Sequence, residues 1–350
     1  MTHPTFTARR ITPDTICISG PGCDCYLLVG DNEALMIDSG MSDQNIRAFA
    51  QSLTDKPLRA VINTHSHFDH TVQNGAFDVV YGTPGIARGA KNIMDCPPLD
   101  YPLDYGFTFV NDGDVIDLGD RPLRVIVLDC HAPENLAILD ETRRMLFPGD
   151  ELESGQVLLL PGFAEEIGQI HSKPAASVET YLHAMKKLDS FSDQFDMILP
   201  SHNGTPIDKG YLADYIALSE AILRGEIEGS RECSSASYSQ TDLHFPHWRA
   251  NYRRAELHGA SLVYCRDLVF DKDYANADAL PPATNLHLVS SRNARQSFLH
   301  KQKGRSSENR PFLNSFRSYL ELVADRPDRR DLPRIFGPFR IFELLTQTLD

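Results

Sequence analysis

Six consecutive residues, His65-Ser66-His67-Phe68-Asp69-His70, carry three imidazoles and one carboxylate. These are ligand types that zinc and similar metals prefer. Packed this densely in a loop, they lack partners unless a cation gathers them. The bland alternative is an accidental His-rich run, since lone histidines are mostly surface or satisfied core residues. Such a run has no positioning strand and no further ligands downstream. Here Leu58-Arg59-Ala60-Val61-Ile62-Asn63-Thr64 reads as a short buried strand directly before it. The ligand-type residues thus follow the carboxyl end of a strand, where open α/β sheets place their sites.

The first half of the chain alternates strands and helices. Residues 16–19, 26–29 and 34–37 read as strands between Gly, Pro, Asp and Asn turns. Ser42-Asp43 can cap a helix running to Leu53, with Ile46, Phe49, Ala50 and Leu53 at helical spacing. A strand over 79–81 and a helix over 84–94 follow. Residues 123–128, 136–139 and 145–147 read as strands of a second β-rich half. An amphipathic helix over 177–188 contains His183, read as structural, and a strand over 197–199 precedes a helix over 211–224. Residues 226–258 are polar and hold the only tryptophan, Trp248, and 262–264 read as a last strand.

The motif HxHxDH after an apolar strand resembles the signature of the metallo-β-lactamase superfamily. Other segments resemble the family in order. Ile37-Asp38-Ser39-Gly40 is similar to its strand-end Asp-x-Gly turn. His131, after Leu123–Leu128, is similar to its next histidine ligand. Phe147-Pro148-Gly149-Asp150 resembles the Gly-Asp that supplies a carboxylate shared between two metals, and Met197–His202 resembles the last strand with its terminal histidine. The likeness spans roughly residues 10–225. It departs at Asp129-Cys130-His131-Ala132-Pro133-Glu134-Asn135, where the family commonly has glycines flanking the histidine. Cys130 is read as a buried strand-end residue rather than a thiolate ligand, because adjacent strand side chains face opposite ways.

The resemblance implies an α/β fold, an αββα sandwich of two mixed β-sheets with helices on the outer faces. It implies two metals, with Zn2+ expected and Mn2+ or Fe2+ as alternatives. His65, His67 and His131 would hold one; Asp69, His70 and His202 the other; Asp150 would bridge. A metal-bridging hydroxide would then attack the carbonyl of a lactone, thioester or ester. Asp69 would both ligate and handle a proton. A shared Asp resembles the lactonase and thioesterase (glyoxalase II) branches, whereas true β-lactamases typically lack it. Two other readings stay open. Persulfide dioxygenases of the same fold resemble this set but use one iron, which His65, His131 and Asp150 would hold. A metal-stabilised, non-enzymatic scaffold acting through its C-terminal tail is the other.

The 350 residues, 41% hydrophobic and 23% charged, suit a globular protein with one or two domains. A net charge of −14 opposes nucleic-acid binding. No stretch approaches the ~20 apolar residues of a membrane span, and no secretory signal is visible at the N-terminus. Seven cysteines without framework spacing suit free thiols in the cytoplasm. Cys23-Asp24-Cys25 is read as a turn into a strand. The expected domains are 1–270, the hydrolase, and 271–350, an extension. In residues 285–350, 12 Lys/Arg stand against 7 Asp/Glu, and this segment is a candidate for homo-oligomer contacts. Loops 95–106 (Pro97, Pro98, Tyr101, Tyr105), 151–173 (with His171 as an extra proton donor) and the Trp248 segment are expected to set specificity for a small-molecule substrate.

Overall fold

The computed structural model describes residues 6–90, 102, 104–159, 176–230 and 252–273. Its short apolar runs pair into two mixed sheets. In the first, β1 (Thr7–Thr12), β2 (Thr15–Ser19), β3 (Asp24–Val29) and β4 (Ala34–Ile37) are antiparallel neighbours. After α1 (Ile46–Gln51), β5 (Leu58–Ile62) adds in parallel to β4. α2 (Phe68–Thr71) and then β6 (Val79–Gly82), α3 (Pro84–Ala90) and β7 (Phe107–Phe109) follow, with β6 and β7 extending the parallel half.

In the second sheet, β8 (Val115–Asp117), β9 (Pro122–Val127), β10 (Leu136–Asp140) and β11 (Met145–Phe147) form an antiparallel meander. β12 (Val157–Leu158) leaves for a third sheet, and α4 (Val178–Asp189) crosses over. β13 (Met197–Ile198) then pairs in parallel with β11, and β14 (Ile207–Asp208) closes the edge. α5 (Gly210–Leu223) is followed by β15 (Tyr252–Leu257) and β16 (Ala260–Cys265), which pair with each other and, through β16, with β12.

The strand period of two sorts the apolar residues into layers. Cys17, Tyr26, Leu28, Leu35 and Ile37 of the first sheet meet Leu123, Val125, Leu136, Ile138 and Phe147 of the second in one inner core. The alternate residues Ile16, Ile18, Leu27 and Met36 face outward beneath Ile46 and Ala50 of α1. Ile126, Ala137, Leu139 and Leu146 face the other way, beneath Tyr181, Met185 and Leu188 of α4 and Tyr215 and Leu218 of α5. This is the expected αββα sandwich. Leu27 and Leu28 are both fully buried on opposite faces, each worth about 1.5–3 kcal/mol.

Three details depart from the sequence reading. The α1 cap is Asn45, whose side chain accepts from Ala48 N, so the helix starts later than Ser42-Asp43 suggested. The third sheet was not expected. Its strand β15 lies within the polar 226–258 segment, because its backbone completes β16, which is buried along its whole length. Residues 91–94 of the expected helix lie outside the described residues, as does the extension beyond Asp273.

β10 begins beside Thr64, whose carbonyl accepts from Leu136 N at 2.8 Å. It ends at Asp140, which pairs with the fully buried Arg121 at 2.6 Å. Arg121 also donates to Asp14 O at 2.6 Å and Thr15 Oγ1 at 2.5 Å. A charge this deep is tolerable only when paired and hydrogen-bonded. The cluster ties the two sheets together at the end away from the histidine loop.

Candidate metal centre

β4, β5, β9, β11 and β13 all run toward one edge of the sandwich. The loops leaving them carry Asp38, His65–His70, His131, Asp150 and His202. All seven residues expected as ligands come together there. Potential ligand atoms of His65, His67, His131 and Asp150 lie within 4.8 Å of one another, as do those of Asp69, His70 and His202. The loop bearing Asp150 closes on Thr64 because Gly149 has φ +61° and no side chain; a Cβ there would sit 2.7 Å from Thr64 Oγ1.

The hydrogen bonds fix which ring nitrogens face inward. Thr64 Oγ1 gives its proton to Asp38 Oδ2 at 2.8 Å, so His65 Nδ1, 3.1 Å away, must be the donor to Thr64 Oγ1. His131 Nδ1 lies 2.8 Å from Leu158 O and must also donate, since a carbonyl only accepts. His70 Nδ1 donates to Asp38 Oδ2 at 2.8 Å. In the neutral rings, Nε2 of all three histidines therefore carries a lone pair directed into the site. His67 Nδ1 stands 3.0 Å from both His65 Nε2 and His131 Nε2. One nitrogen cannot protonate both neighbours, so the arrangement leaves lone pairs facing each other. His70 Nε2 and Asp150 Oδ1 are buried without a hydrogen-bond partner among the described residues. Convergent lone pairs and orphaned buried atoms fit a cation.

Asp150 faces both groups. Its Oδ2 is 3.8 Å from His65 Nε2, 3.6 Å from His131 Nε2 and 3.3 Å from His202 Nε2. Its Oδ1 is 3.4 Å from His70 Nε2. Asp69 Oδ2 is 3.4 Å from His202 Nε2 and 3.6 Å from His70 Nε2.

The electrostatics split along the same line. Burial holds His65, His67 and His131 below the usual imidazole value, hence neutral and ready to ligate. Burial acts the same way on His70 and His202. There it is overcome by Asp150 and Asp69, helped at His70 by Asp38, and both rings rise well above the usual value. Burial opposes ionisation of Asp69, but His70 and His202 bring it down to about 2. Asp150 is likewise held well below the usual carboxylate range by His202, His70 and His65, against its burial.

Sequence reasoning placed Asp38 in a turn without giving it work. Its carboxylate orients His70 directly and His65 through Thr64, one residue in each ligand group. Asp38→Asn leaves one acceptor oxygen where two are used. A lost orienting partner commonly costs ~10–100-fold in metal affinity or activity. The expected outcome here is about 10-fold weaker metal retention in dialysis against a graded chelator, with the fold intact by circular dichroism. Glu151 was also missed. Its Oε1 accepts from His131 N at 2.5 Å, and burial pushes its carboxyl up to about 8.

The missing glycines around His131 have substitutes. Asp129 adopts φ +59° and accepts from Glu134 N at 2.8 Å, and Asn135 Oδ1 accepts from Cys130 N at 2.8 Å. Cys130 is buried with Sγ toward Leu128 O and Thr180 O, away from the imidazoles. Cys23 and Cys25 lead into and begin β3, as read, and Cys23 Sγ donates to Asp69 O at 3.1 Å. Of the expected specificity residues, Tyr105 is half-buried beside Asn74, at 3.4 Å. Pro97, Pro98, Tyr101, His171 and Trp248 lie outside the described residues.

Residues 19–224 match the model of the family described as the metallo-beta-lactamase superfamily. The chain is similar to the human "Acyl-coenzyme A thioesterase MBLAC2", 25% identical over 222 residues, covering 53% of this chain and 75% of that one. It is 27% identical over 148 residues to the "Hydroxyacylglutathione hydrolase" of Francisella tularensis subsp. novicida (strain U112), covering 42% of this chain and 54% of that one. Among solved structures, the "Metallo-beta-lactamase from Pontibacter korlensis" aligns with a TM-score of 0.47 at 15% identity, covering 62% of this chain and 99% of that one.

Proposed function

Because the chain belongs to the metallo-beta-lactamase superfamily, we propose that it is a metal-dependent hydrolase of thioesters, with lactones and oxygen esters as neighbouring substrate classes. The observation that carries this reading is the reach of Asp150 across both ligand groups. One carboxylate so placed suits two metals, and we take these as zinc. The names of the two similar hydrolases favour a thioester. Residues 1–270 are proposed as the hydrolase domain. The five described cysteines are free, which favours the cytoplasm. Among the described residues no helix is long and apolar enough to cross a membrane.

Bound divalent cations would supply Lewis acidity toward a carbonyl and ionise water at neutral pH. The chain's own residues do the rest. His65, His67 and His131 form the neutral ligand set. His70, His202 and Asp69 form the second, and Asp150 joins them. Asp38 and Leu158 O hold ring orientation. Asp69, about one-fifth exposed, can meet both substrate and the second set.

Metal uptake has a signed pH dependence. His70 and His202 lie above the usual imidazole value without metal, so filling their set must displace protons. Uptake there weakens as pH falls, while the neutral first set is less affected. Titrating metal-free protein in weak buffer should show proton release with the second equivalent. Equal release with both equivalents contradicts the assignment.

The function is tested by elemental analysis followed by a hydrolysis screen over acyl-coenzyme A and glutathione thioesters, lactones, esters and β-lactams. Close to two metal equivalents and thioester turnover are expected. A stable active protein with one iron, consuming oxygen with a persulfide, would overturn the hydrolase reading in favour of the dioxygenase-like one.

A further inference from the structure

Of the rings that meet in the site, His202 is anchored differently. His65, His70 and His131 each fix their outer nitrogen on Thr64, Asp38 or Leu158. Among the described residues no hydrogen bond holds His202 Nδ1. Asp150 and Asp69 meet the ring at Nε2; on its outer side its direction is left to the main chain, and the turn that carries it is clasped. Glu153 is 4% exposed and lies three residues past Asp150. Its Oε2 accepts from Asn203 Nδ2 at 2.5 Å. Ser154 Oγ donates to Asn203 O at 2.7 Å. Asn203 itself has φ +60°, a left-handed backbone that a side-chain contact can help hold. The neighbouring loop fits closely against it, since a Cβ on Gly155 would lie 2.0 Å from Asn203 Cγ. The fully buried Tyr215 of α5 fixes the near side by donating to Glu153 O at 2.9 Å.

We propose that Glu153 is a positioning residue for His202, acting through Asn203 to set the turn that aims the imidazole at Asp150 and Asp69. This rests on the reading of His202 as a metal ligand. The contact is a single hydrogen bond accepted by Glu153 Oε2 from Asn203 Nδ2, and an amide oxygen of the same shape can accept it in its place.

The test uses full-length protein, Co2+ as the metal probe, and the variants Glu153→Leu, Glu153→Gln, Asn203→Gly and His202→Ala. Asn203→Gly keeps the left-handed turn but removes the amide, so it stands if Glu153→Leu fails to fold. Chelator competition should show one Co2+ equivalent bound about 10- to 100-fold more weakly in Glu153→Leu and Asn203→Gly. The visible Co2+ spectrum of that equivalent should shift, and Glu153→Gln should restore both. Wild-type affinity and spectra in Glu153→Leu and Asn203→Gly, with His202→Ala losing one equivalent, overturn this inference alone. Glu153→Gln as impaired as Glu153→Leu also overturns it. Wild-type binding in His202→Ala, or no Co2+ bound by the wild type, overturns the ligand reading beneath it.

Discussion

Asp150→Ala is expected to strip metal from both ligand groups and to lower turnover by about 100- to 10,000-fold. A disturbed metal shell commonly costs ~10–100-fold, and here it is disturbed at both groups. Asp150 Oδ2 stands 3.3–3.8 Å from His202, His131 and His65, and Oδ1 stands 3.4 Å from His70. No other carboxylate among the described residues faces both groups in this way. The fold should survive. Asp150 is an ionised, buried group surrounded by imidazoles, and the inner core lies below it. Chelator competition and steady-state rates on a thioester check the prediction, with circular dichroism as the control. Asp150→Asn is the sharper variant, since the amide keeps the shape and loses the charge. Wild-type metal content and rate in Asp150→Asn would remove the basis for the shared-carboxylate reading.

The second large effect concerns Asp69. Asp69 follows His67 by two residues and adjoins His70, and its Oδ2 faces the His70–His202 pair. With its carboxyl drawn down to about 2, it is anionic at any working pH. That form suits a ligand, and in catalysis it can only accept a proton before passing it on. Asp69→Asn loaded to full metal occupancy is expected to stay ~100- to 10,000-fold slow on substrates with poor leaving groups. Substrates whose leaving group departs without protonation should suffer less. An amide can coordinate weakly through its oxygen but cannot carry that proton. Recovery with both substrate classes on metal loading would leave Asp69 as a ligand alone.

Much of this site was legible because its ligand-type residues are contiguous. The six residues from His65 to His70 cannot be read as a surface run once Leu58–Ile62 is seen as a buried strand. Asp150 and His202 were legible because each closely follows a short apolar strand, β11 or β13. Asp38 was visible as a turn residue, but its bonds to His70 and Thr64 span 32 and 26 positions. Sequence spacing carries no trace of such bonds. The same holds for Glu153 and Asn203, 50 positions apart. The loop before His131 was expected to differ for want of glycines. Asp129 supplies the left-handed backbone instead, a conformation that aspartate tolerates better than most residues. In the fold, β15 was hidden by its charges. Its Arg253 side chain is buried and pairs with Glu228 at 3.5 Å, so a strand that looked polar still covers apolar β16. The N-cap at Asn45 was misplaced because Ser42, Asp43 and Asn45 are all good caps, and only the backbone geometry chooses between them.

Two metals that share Asp150 occupy positions that diffraction can locate. Anomalous diffraction from crystals of the metal-loaded protein, collected at the edge of the bound metal, should show two peaks roughly 3.5–4 Å apart. One should lie among His65, His67 and His131 and the other among Asp69, His70 and His202, with the Asp150 carboxylate between them. A single fully occupied peak in active crystals, bound by His65, His131 and Asp150 with the second group empty, would contradict this arrangement.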